Sequence, residues 1–270
     1  MSDAPHPVLR VALDAGYGSR TVLRDLRFDL RAGEALGFVG ASGAGKSTLA
    51  LALLGLLPWR GGWARGEVLL DGQNLLALKE REARQVRGRH IALVPQSPMS
   101  ALNSAVSLRR HFEEAWRAHE PSGGRGKLNA RLLSLLQQVQ LPLEEAFLDR
   151  KPGTISVGQA QRALIALALL HRPAVVLADE PTSALDSVTN VEILKLLLQT
   201  CAETGTALLY ISHDLISVLQ RCHGLAVLDG GSIAERLDVK DIGKESHGPA
   251  LQALLDAMPV PAEMVLRYRA

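Results

Sequence analysis

The stretch that decides the fold is residues 40–48, which read GASGAGKST. It matches the pattern G-x-x-x-x-G-K-[S/T] of a phosphate-binding loop. The apolar run Ala35–Val39 precedes it and predicts a buried strand, and the apolar run 49–57 follows it and predicts a buried helix. Strand, glycine-rich loop and helix are the context that this pattern requires. The alternative is a glycine-rich turn with a solvated lysine, and the two flanking runs argue against it.

Each residue type in this loop has a physical role. Glycine lacks a Cβ, so the loop can turn tightly and its backbone N–H groups can face an anion. The positive end of the following helix adds to the attraction. Lys46 can reach the β- and γ-phosphates of a nucleotide, and the hydroxyl of Ser47 can ligate Mg²⁺. The residues predicted to bind the nucleotide in this loop are Gly40, Ser42, Gly43, Ala44, Gly45, Lys46, Ser47 and Thr48.

Length and composition restrict the class of protein. The chain has 270 residues, 47% of them hydrophobic, which is enough for one large domain or two smaller ones. No apolar run approaches the roughly 18 residues that span a bilayer, and the N-terminal sequence lacks the features of a secretion signal. Two cysteines, Cys201 and Cys222, are too few for a disulfide framework, so we expect a reducing cytosol. A formal net charge of +2 does not indicate a nucleic-acid partner.

Hydrophobic patterns along the chain predict an α/β fold built on a parallel sheet, because strands alternate with helices. The predicted strands are an edge strand at 8–13, then 21–30, Ala35–Val39, 66–71, Ile91–Val94, 174–178, 206–211, and a hairpin of 225–228 with 232–234. The predicted helices are 49–57, 79–87, 111–119, 128–139, 159–170, 188–202 and 215–220.

These patterns predict one domain with three parts. Residues 1–96 and 154–235 are expected to form the catalytic core together with an antiparallel β subdomain. Residues 97–153 contain no strand pattern and are expected to form an inserted helical subdomain. Residues 236–270 are expected to form a C-terminal appendage with one helix at about 249–258.

Two adjacent acidic residues, Asp179 and Glu180, follow the apolar run at 174–178. The ends of strands in a parallel sheet open onto the ligand crevice. Asp179 is therefore predicted to hold Mg²⁺ beside Ser47, and Glu180 to orient or deprotonate the attacking water. Taken alone, the motif also fits two acids in a surface turn. The presence of the phosphate-binding loop favours the catalytic interpretation.

Over nearly its whole length the chain resembles the nucleotide-binding subunit of an ABC transporter, a P-loop NTPase. Five motifs occur in the order and at the spacing of that family. They are Walker A at 40–48, the Q-loop residue Gln96, Walker B at 175–180, the D-loop at 183–186 (SALD) and the switch residue His213. In addition, Tyr17 lies where the family stacks an aromatic side chain on adenine.

The resemblance implies an ATPase whose cofactors are ATP and Mg²⁺. It implies that Gln96 senses the γ-phosphate and contacts Mg²⁺, and that Asp186 belongs to the nucleotide site. It also implies that the imidazole of His213 hydrogen-bonds the γ-phosphate and holds Glu180 and the attacking water in place, so that Glu180, His213 and Lys46 are the catalytic residues. Each residue has a plainer alternative. Gln96 fits a solvated residue after a strand and Asp186 a helix N-cap. His213 fits an ordinary histidine, and the aromatic residue at position 17 fits a turn residue without a ligand.

The signature motif is the place where the chain departs from the family, which has LSGGQ where residues 155–159 read ISVGQ. In the family, this helix N-terminus faces the ATP bound by the other subunit, so Ser156, Gly158 and Gln159 are expected to contact that nucleotide. Ser156 and Gln159 also fit a capping box at the start of the predicted helix.

Val157 adds a branched side chain where the family has glycine. We expect phosphate contact or subunit closure to suffer there, at the opposite site, and we hypothesise an asymmetric pair with a sister subunit that carries an intact signature. The alternative is that the valine side chain points away from the ligand and has no effect.

Three further stretches resemble the oligopeptide, dipeptide and nickel importers of the family. The first is 97–103 (SPMSALN), the second is the pair of segments 177–186 and 208–215, and the third is a tail at 247–259 that lacks the tyrosine of the group. Longer members continue into a cysteine-rich extension. Its absence from the sequence favours the shorter members that transport nickel or metal chelates.

The resemblance as a whole implies a cytoplasmic ATPase subunit, peripheral on the inner face of the cell membrane, that powers an importer for peptides or nickel. Its implied partners are a second ATPase subunit (the same chain or a sister), permease subunits that contact the helical subdomain, and an extracytoplasmic substrate-binding protein. A DNA-repair or chromosome-type ABC ATPase is an alternative, disfavoured by the short insertion, few cysteines and balanced charge. A non-hydrolysing regulatory subunit is another, disfavoured by Lys46, Asp179 and Glu180.

Overall fold

The computed structural model describes residues 6–244 and 247–267. These residues fall into two compact units. The first unit comprises the chain up to Ala83 and from Ala207 onward, and the second comprises Arg84–Thr206. The three-part division at residues 96/97, 153/154 and 235/236 stays a prediction.

The regular elements are described in chain order. The strands are β1 (Leu9–Tyr17), β2 (Arg20–Leu30), β3 (Ala35–Val39), β4 (Gly62–Leu70), β5 (Gln73–Asn74), β6 (Ile91–Val94), β7 (Val175–Asp179), β8 (Ala207–Ile211), β9 (Gly224–Asp229) and β10 (Ser232–Asp238). The helices are α1 (Lys46–Leu53), α2 (Glu80–Val86), α3 (Pro98–Ala101), α4 (Leu108–His119), α5 (Arg125–Gln138), α6 (Glu145–Leu148), α7 (Val157–Leu169), α8 (Ser187–Thr204), α9 (Leu215–Arg221), α10 (Pro249–Asp256) and α11 (Ala262–Arg267).

The first unit contains an antiparallel sheet with the strand order β2-β1-β4-β5. On β2 the apolar face is buried as predicted, with Leu26, Phe28 and Leu30 at most 4% exposed. The prediction of an edge strand at residues 8–13 is wrong, because β1 pairs with β2 on one side and with β4 on the other. Alternation along one strand reports which face is buried, but it does not report how many neighbours the strand has.

The glycine-rich loop follows a strand of a parallel sheet in the same unit. Strand β3 pairs in parallel with β8 and with β9, and β10 closes a hairpin on β9. All five residues of β3 are buried, as expected for a strand covered on both faces. Helix α1 begins at Lys46 and ends at Leu53, so the predicted helix at 49–57 is wrong at both ends. Gly55 adopts a φ of +62°, which ends the helix despite the continuing apolar sequence.

The C-terminal part of the first unit holds two helices, α10 and α11, where one was predicted. The second helix, α11, is only six residues long, and Val265 is its buried residue. It packs against α9. A single apolar anchor leaves no periodicity to detect, so the sequence alone could not indicate this helix.

The second unit holds the parallel pair β6 and β7, with α7 packed against β6. Between β6 and β7 the chain forms helices α3 to α7, and within residues 97–153 no strand occurs, as predicted. The apolar faces of α4 and α5 are buried through Leu108, Phe112, Leu132 and Leu135. The predicted combination of parallel strands, an antiparallel sheet and an inserted run of helices is therefore confirmed.

Candidate nucleotide-binding site

The glycine-rich loop leaves β3 at Gly40 and enters α1 after Gly45. Gly45 has a φ of +104°, a conformation that favours glycine. A Cβ at this position would also lie 2.6 Å from Cδ2 of Leu23. At Gly40 a Cβ would collide with the carbonyl oxygen of Leu228 on β9. The backbone path of the loop therefore requires glycine at both ends.

The N-terminus of α1 is left without a side-chain cap. Its first intrahelical hydrogen bond runs from the N–H of Leu49 to the carbonyl of Gly45, at 2.9 Å. The N–H groups of Lys46, Ser47 and Thr48 therefore have no acceptor within the helix. Uncapped N–H groups at the positive end of a helix form an anion site, as the loop pattern predicts.

Lys46 is turned back onto the loop that it follows. Its side chain is buried, and Nζ donates to the carbonyl oxygens of Gly40 at 2.8 Å and Ala41 at 3.0 Å. These two neutral carbonyl oxygens satisfy part of the hydrogen-bonding capacity of the ammonium group. A phosphate oxygen is a stronger acceptor for the same group, because both partners then carry charge.

Tyr17, the predicted adenine-stacking residue, ends β1 directly opposite Gly62 on β4. A Cβ at Gly62 would lie 3.0 Å from the Tyr17 ring, so glycine allows the ring to rest against the neighbouring strand. The indole of Trp63 donates to the carbonyl of Gly18 at 3.0 Å, and the guanidinium of Arg65 lies 5.0 Å from the centre of the indole. Trp63 was not predicted from the sequence, because its position one residue past the partner of Tyr17 depends on how the strands pair.

His213 lies between β8 and α9, and its side chain is exposed. The residues on both sides of it are fixed. The N–H of Ser212 donates to the carbonyl of Phe38 at 3.0 Å, and Asp214 caps α9 by accepting from the N–H of Ile216 at 3.0 Å. This short, anchored segment holds His213 at the end of a strand that runs parallel to β3.

The second unit brings Gln96 and Glu180 together. The side-chain amide of Gln96 donates from Nε2 to Oε2 of Glu180 at 3.3 Å. Glu180 has a φ of +46°, and its carbonyl accepts from the N–H of Ser183 at 3.2 Å and from Oγ of Ser183 at 3.1 Å. Strained backbone in a non-glycine residue is characteristic of functional sites. Both predicted γ-phosphate residues of this unit are therefore in contact.

Asp186 caps α8, as its alternative interpretation predicts. Its carboxylate accepts from the N–H groups of Val188 at 3.1 Å and Thr189 at 3.0 Å, and from Oγ1 of Thr189 at 2.7 Å. The hydrogen bonds from Thr189, first the backbone one and then the hydroxyl, lower the pKa of Asp186. The aspartate is therefore held as an anion at the start of α8.

The predicted signature residues lie at the N-terminus of α7. Ser156 and Gln159 form a complete capping box: Oγ of Ser156 accepts from the N–H of Gln159, and Oε1 of Gln159 accepts from the N–H of Ser156, both at 3.1 Å. Val157 is 40% exposed. Together with Asp186 these residues line one groove of about 370 Å³.

The oxygen donors proposed for Mg²⁺ suit that ion. They are the exposed hydroxyl of Ser47, the half-buried carboxylate of Asp179 at the end of β7, and the side-chain oxygen of the exposed Gln96. Mg²⁺ is usually held by one or two protein oxygens together with phosphates and water, rather than by a cage of protein ligands. The donor chemistry of these residues therefore fits Mg²⁺ beside a nucleotide.

Comparison with known proteins gives the family. The sequence profile of the ABC transporter family matches residues 23–183. The chain belongs to this family. Among curated relatives it is similar to the "Probable peptide ABC transporter ATP-binding protein y4tR" of Sinorhizobium fredii, with 38% identity over 90% of this chain and 73% of the relative. It is also similar to the "Dipeptide transport ATP-binding protein DppD" of Escherichia coli, with 35% identity over 87% of this chain and 71% of the relative.

A solved ABC structure shares the fold. It is described as the dimeric structure of a post-hydrolysis state of the ATP-binding cassette MJ0796 bound to ADP and Pi. The likeness covers 86% of this chain and 98% of that one, at 26% identity and a TM-score of 0.71. The chain is thus an ATP-binding subunit of the ABC family, as the motifs predicted. In the part of the chain that the structure describes, every helix is too short or too polar to cross a membrane.

Proposed function

We propose that this chain hydrolyses ATP to power an ABC importer for peptides. The observation that carries the proposal is the uncapped N-terminus of α1, which follows a loop that requires glycine at Gly40 and Gly45, with the side chain of Lys46 hydrogen-bonded to the loop carbonyls. Phosphate binding would release Lys46 from Gly40 and Ala41 and give it charged acceptors. The loop residues from Gly40 to Thr48 that were predicted from the sequence would surround the β- and γ-phosphates.

The chemistry assigned to this chain is the activation of a water molecule. Glu180 would accept the proton of the water. The side-chain amide of Gln96, which donates a hydrogen bond to the Glu180 carboxylate, would keep that carboxylate oriented towards the water. His213 would hydrogen-bond the γ-phosphate, and the ring of Tyr17 would stack on adenine. Ser47, Asp179 and Gln96 would hold Mg²⁺, which would supply positive charge to stabilise the negative charge of the reacting phosphate.

The other half of each site would come from a second subunit. Ser156, Gly158 and Gln159 would face the γ-phosphate bound by the partner, and Asp186 would lie beside them, because all four line one groove. The cap on α7 means that the Ser156 hydroxyl must exchange its bond to Gln159 for one to phosphate. The branched side chain of Val157 is exposed at the same helix end, where it would face the partner's phosphate. This supports pairing with a sister subunit whose signature motif has glycine at the corresponding position.

The proposed setting is the inner face of the cell membrane, where permease subunits would contact the helices after Gln96 and a substrate-binding protein would deliver cargo from outside. The printed names of the relatives concern peptides and dipeptides, and they support peptides over nickel as the transported substrate. The same names give no support to a role in DNA repair.

The experiment that tests the proposal is purification of the complex from its native host through an affinity tag on this chain. The membrane subunits that co-purify are reconstituted with their binding protein, and phosphate release is measured with and without cargo. We expect di- or oligopeptides to stimulate ATP hydrolysis and nickel chelates to have no effect. Stimulation by nickel alone would reject the peptide assignment, and recovery without membrane subunits would reject the transport role.

A further inference from the structure

A second cavity lies among the helices of the second unit and contains none of the nucleotide-site residues. Its volume is about 480 Å³, within the usual range for small-molecule sites. The α4–α5 pocket, as we name it, is lined chiefly by Trp116, Glu120, Lys127, Arg131, His171 and Arg172.

Positive charge dominates this pocket. Lys127, Arg131 and Arg172 contribute three cations, whereas the carboxylate of Glu120 lies 3.6 Å from the guanidinium of Arg89 and is partly neutralised by it. Over residues 6–244 and 247–267, none of the three lining cations forms an ion pair with a carboxylate. Burial, with Arg172 nearby, lowers the pKa of Arg131 to about 10. The pocket therefore carries positive charge that the protein does not balance.

Part of this charge has a structural explanation. Arg131 donates to the carbonyl oxygens of Leu169 at 2.5 Å and Leu170 at 3.0 Å, which caps the C-terminal end of α7. Lys127 has no such role. It lies one helical turn before Arg131, a spacing at which like charges repel, and in the first turn of α5, where the helix dipole disfavours a cation.

The backbone of Arg172 is strained. Its φ is +54°, and its N–H donates to the carbonyl of Leu169 at 3.1 Å just past the end of α7. Glycine is the usual residue for this left-handed position after a helix. An arginine there is strained relative to a residue without a Cβ. The dipole of α7 favours a cation near this helix end, and the long side chain of Arg172 also lines the pocket.

Two stacked aromatic rings form one wall of the pocket. The Trp116 ring stacks on His171 with the ring centres 5.3 Å apart, which fixes its orientation. Its Nε1–H group is buried away from the pocket surface, so the indole contributes a rigid apolar face rather than a hydrogen bond. The ammonium group of Lys127 and the guanidinium groups of Arg131 and Arg172 donate hydrogen bonds and accept none. A ligand that satisfies all of them has to supply several acceptor oxygens with negative charge.

We propose that the α4–α5 pocket binds a small polyanion that carries phosphate groups. Lys127 and Arg172 would hold the phosphate oxygens, with the Arg131 guanidinium behind them, and the stacked pair of Trp116 and His171 would form the wall. Binding here is independent of the glycine-rich loop. The inference therefore stands or falls separately from the proposed ATPase.

The test uses the three tryptophans of the chain as reporters. Indole N–H signals of ¹⁵N-labelled full-length protein are recorded by NMR, with Trp116 assigned by Trp116→Phe. Sodium pyrophosphate is then titrated in the presence of saturating Mg-ADP, against a matched sodium chloride series. We expect the Trp116 signal to move saturably with pyrophosphate and not with chloride, while the signals of Trp59 and Trp63 stay in place.

Arg172→Gly separates binding from folding, because glycine suits the left-handed backbone better than arginine does. We expect it to weaken pyrophosphate binding at least tenfold while the ligand-free melting temperature stays equal or rises. Gln140→Gly relieves a similar φ of +55° in the same unit outside the pocket and should leave binding unchanged. Lys127→Ala should weaken binding, and Arg125→Ala on the same helix should not.

Soluble phosphates and lipid headgroups share this chemistry, so a second arm uses phosphatidylglycerol and phosphatidylcholine vesicles in a sedimentation assay. Pyrophosphate binding without vesicle binding assigns a soluble ligand. Binding to phosphatidylglycerol vesicles that Arg172→Gly abolishes assigns a headgroup. The proposal is overturned if neither probe binds, or if Arg172→Gly binds either probe as tightly as the wild-type protein.

Discussion

Helices α1 and α7 both begin at a predicted phosphate contact, but their N-termini are finished in opposite ways. Helix α1 starts after Gly45, and no side chain caps its first turn. Helix α7 starts after Ser156, whose hydroxyl and backbone both take part in a capping box with Gln159. The first terminus keeps its N–H groups for a ligand, and the second satisfies part of them from its own sequence.

Because of this difference, the two termini have different capacities to bind an anion within one chain. An uncapped helix end with a buried lysine is prepared to bind an anion within one chain. A capped helix end is stable without a ligand, so a phosphate must compete with the cap, which contributes about 1 kcal/mol. We therefore expect nucleotide affinity to depend on the α1 terminus. The α7 terminus should act only when a second subunit brings its phosphate close.

The largest effect is expected on the catalytic step itself, which neither helix terminus carries out. Glu180→Gln keeps the shape of the side chain and removes the group that accepts the proton of water. We expect ATP binding to remain and steady-state phosphate release by the assembled transporter to fall by about 10²- to 10⁴-fold, as for a general base. Glu203→Gln, on the outer part of α8, serves as the control. Turnover within threefold of the wild-type value would reject this role for Glu180.

The next effect tests the α1 terminus directly. Lys46→Ala removes a charged donor that contributes about 1.5–3 kcal/mol to a hydrogen bond with phosphate. We expect the dissociation constant for a fluorescent ATP analogue to rise roughly 10- to 100-fold. Lys79→Ala, an exposed lysine in the same unit, should leave the titration unchanged. Equal affinities for Lys46→Ala and wild type would mean that the loop is not the nucleotide site.

A smaller effect is expected at the capped terminus. Ser156→Ala deletes the hydroxyl that accepts from Gln159, which should destabilise the start of α7 by about 1 kcal/mol. Hydrogen exchange of the amides at the start of α7 should become about fivefold faster, with nucleotide affinity of the isolated subunit unchanged. Ser122→Ala, on an exposed turn, is the control. A large loss of ATP affinity instead would show that the two termini are not separate.

The smallest effect concerns Val157. If its branched side chain hinders the approach of the partner's phosphate, Val157→Gly should raise turnover of the assembled transporter by a few-fold. Affinity for ATP in the isolated subunit should not change. Val191→Gly, an exposed valine on α8, controls for a glycine in a helix. Equal turnover with valine and glycine would remove the support for an asymmetric pair.

The parts of the molecule that could be predicted from sequence are those that depend on local patterns. The glycine spacing and the buried run before it indicated the loop, and S-x-x-Q indicated the cap on α7. The inner position of β1 and the placement of Trp63 beside Tyr17 depend on strand pairing, which is not local. The end of α1 was missed because apolar residues continue past Gly55. The contact of Lys46 with the loop carbonyls depends on a side-chain conformation that no motif encodes.

The difference between the N-termini of α1 and α7 is tested most directly by a chemical-shift map of the isolated, ¹⁵N-labelled subunit as Mg-ADP is added. We expect saturable shifts at the amides of Lys46, Ser47 and Thr48, where α1 lacks a side-chain cap. We expect no comparable shifts at the amides of Val157 and Gly158, where α7 is capped. Shifts confined to the α7 terminus, or none at the α1 terminus at saturating nucleotide, would contradict it.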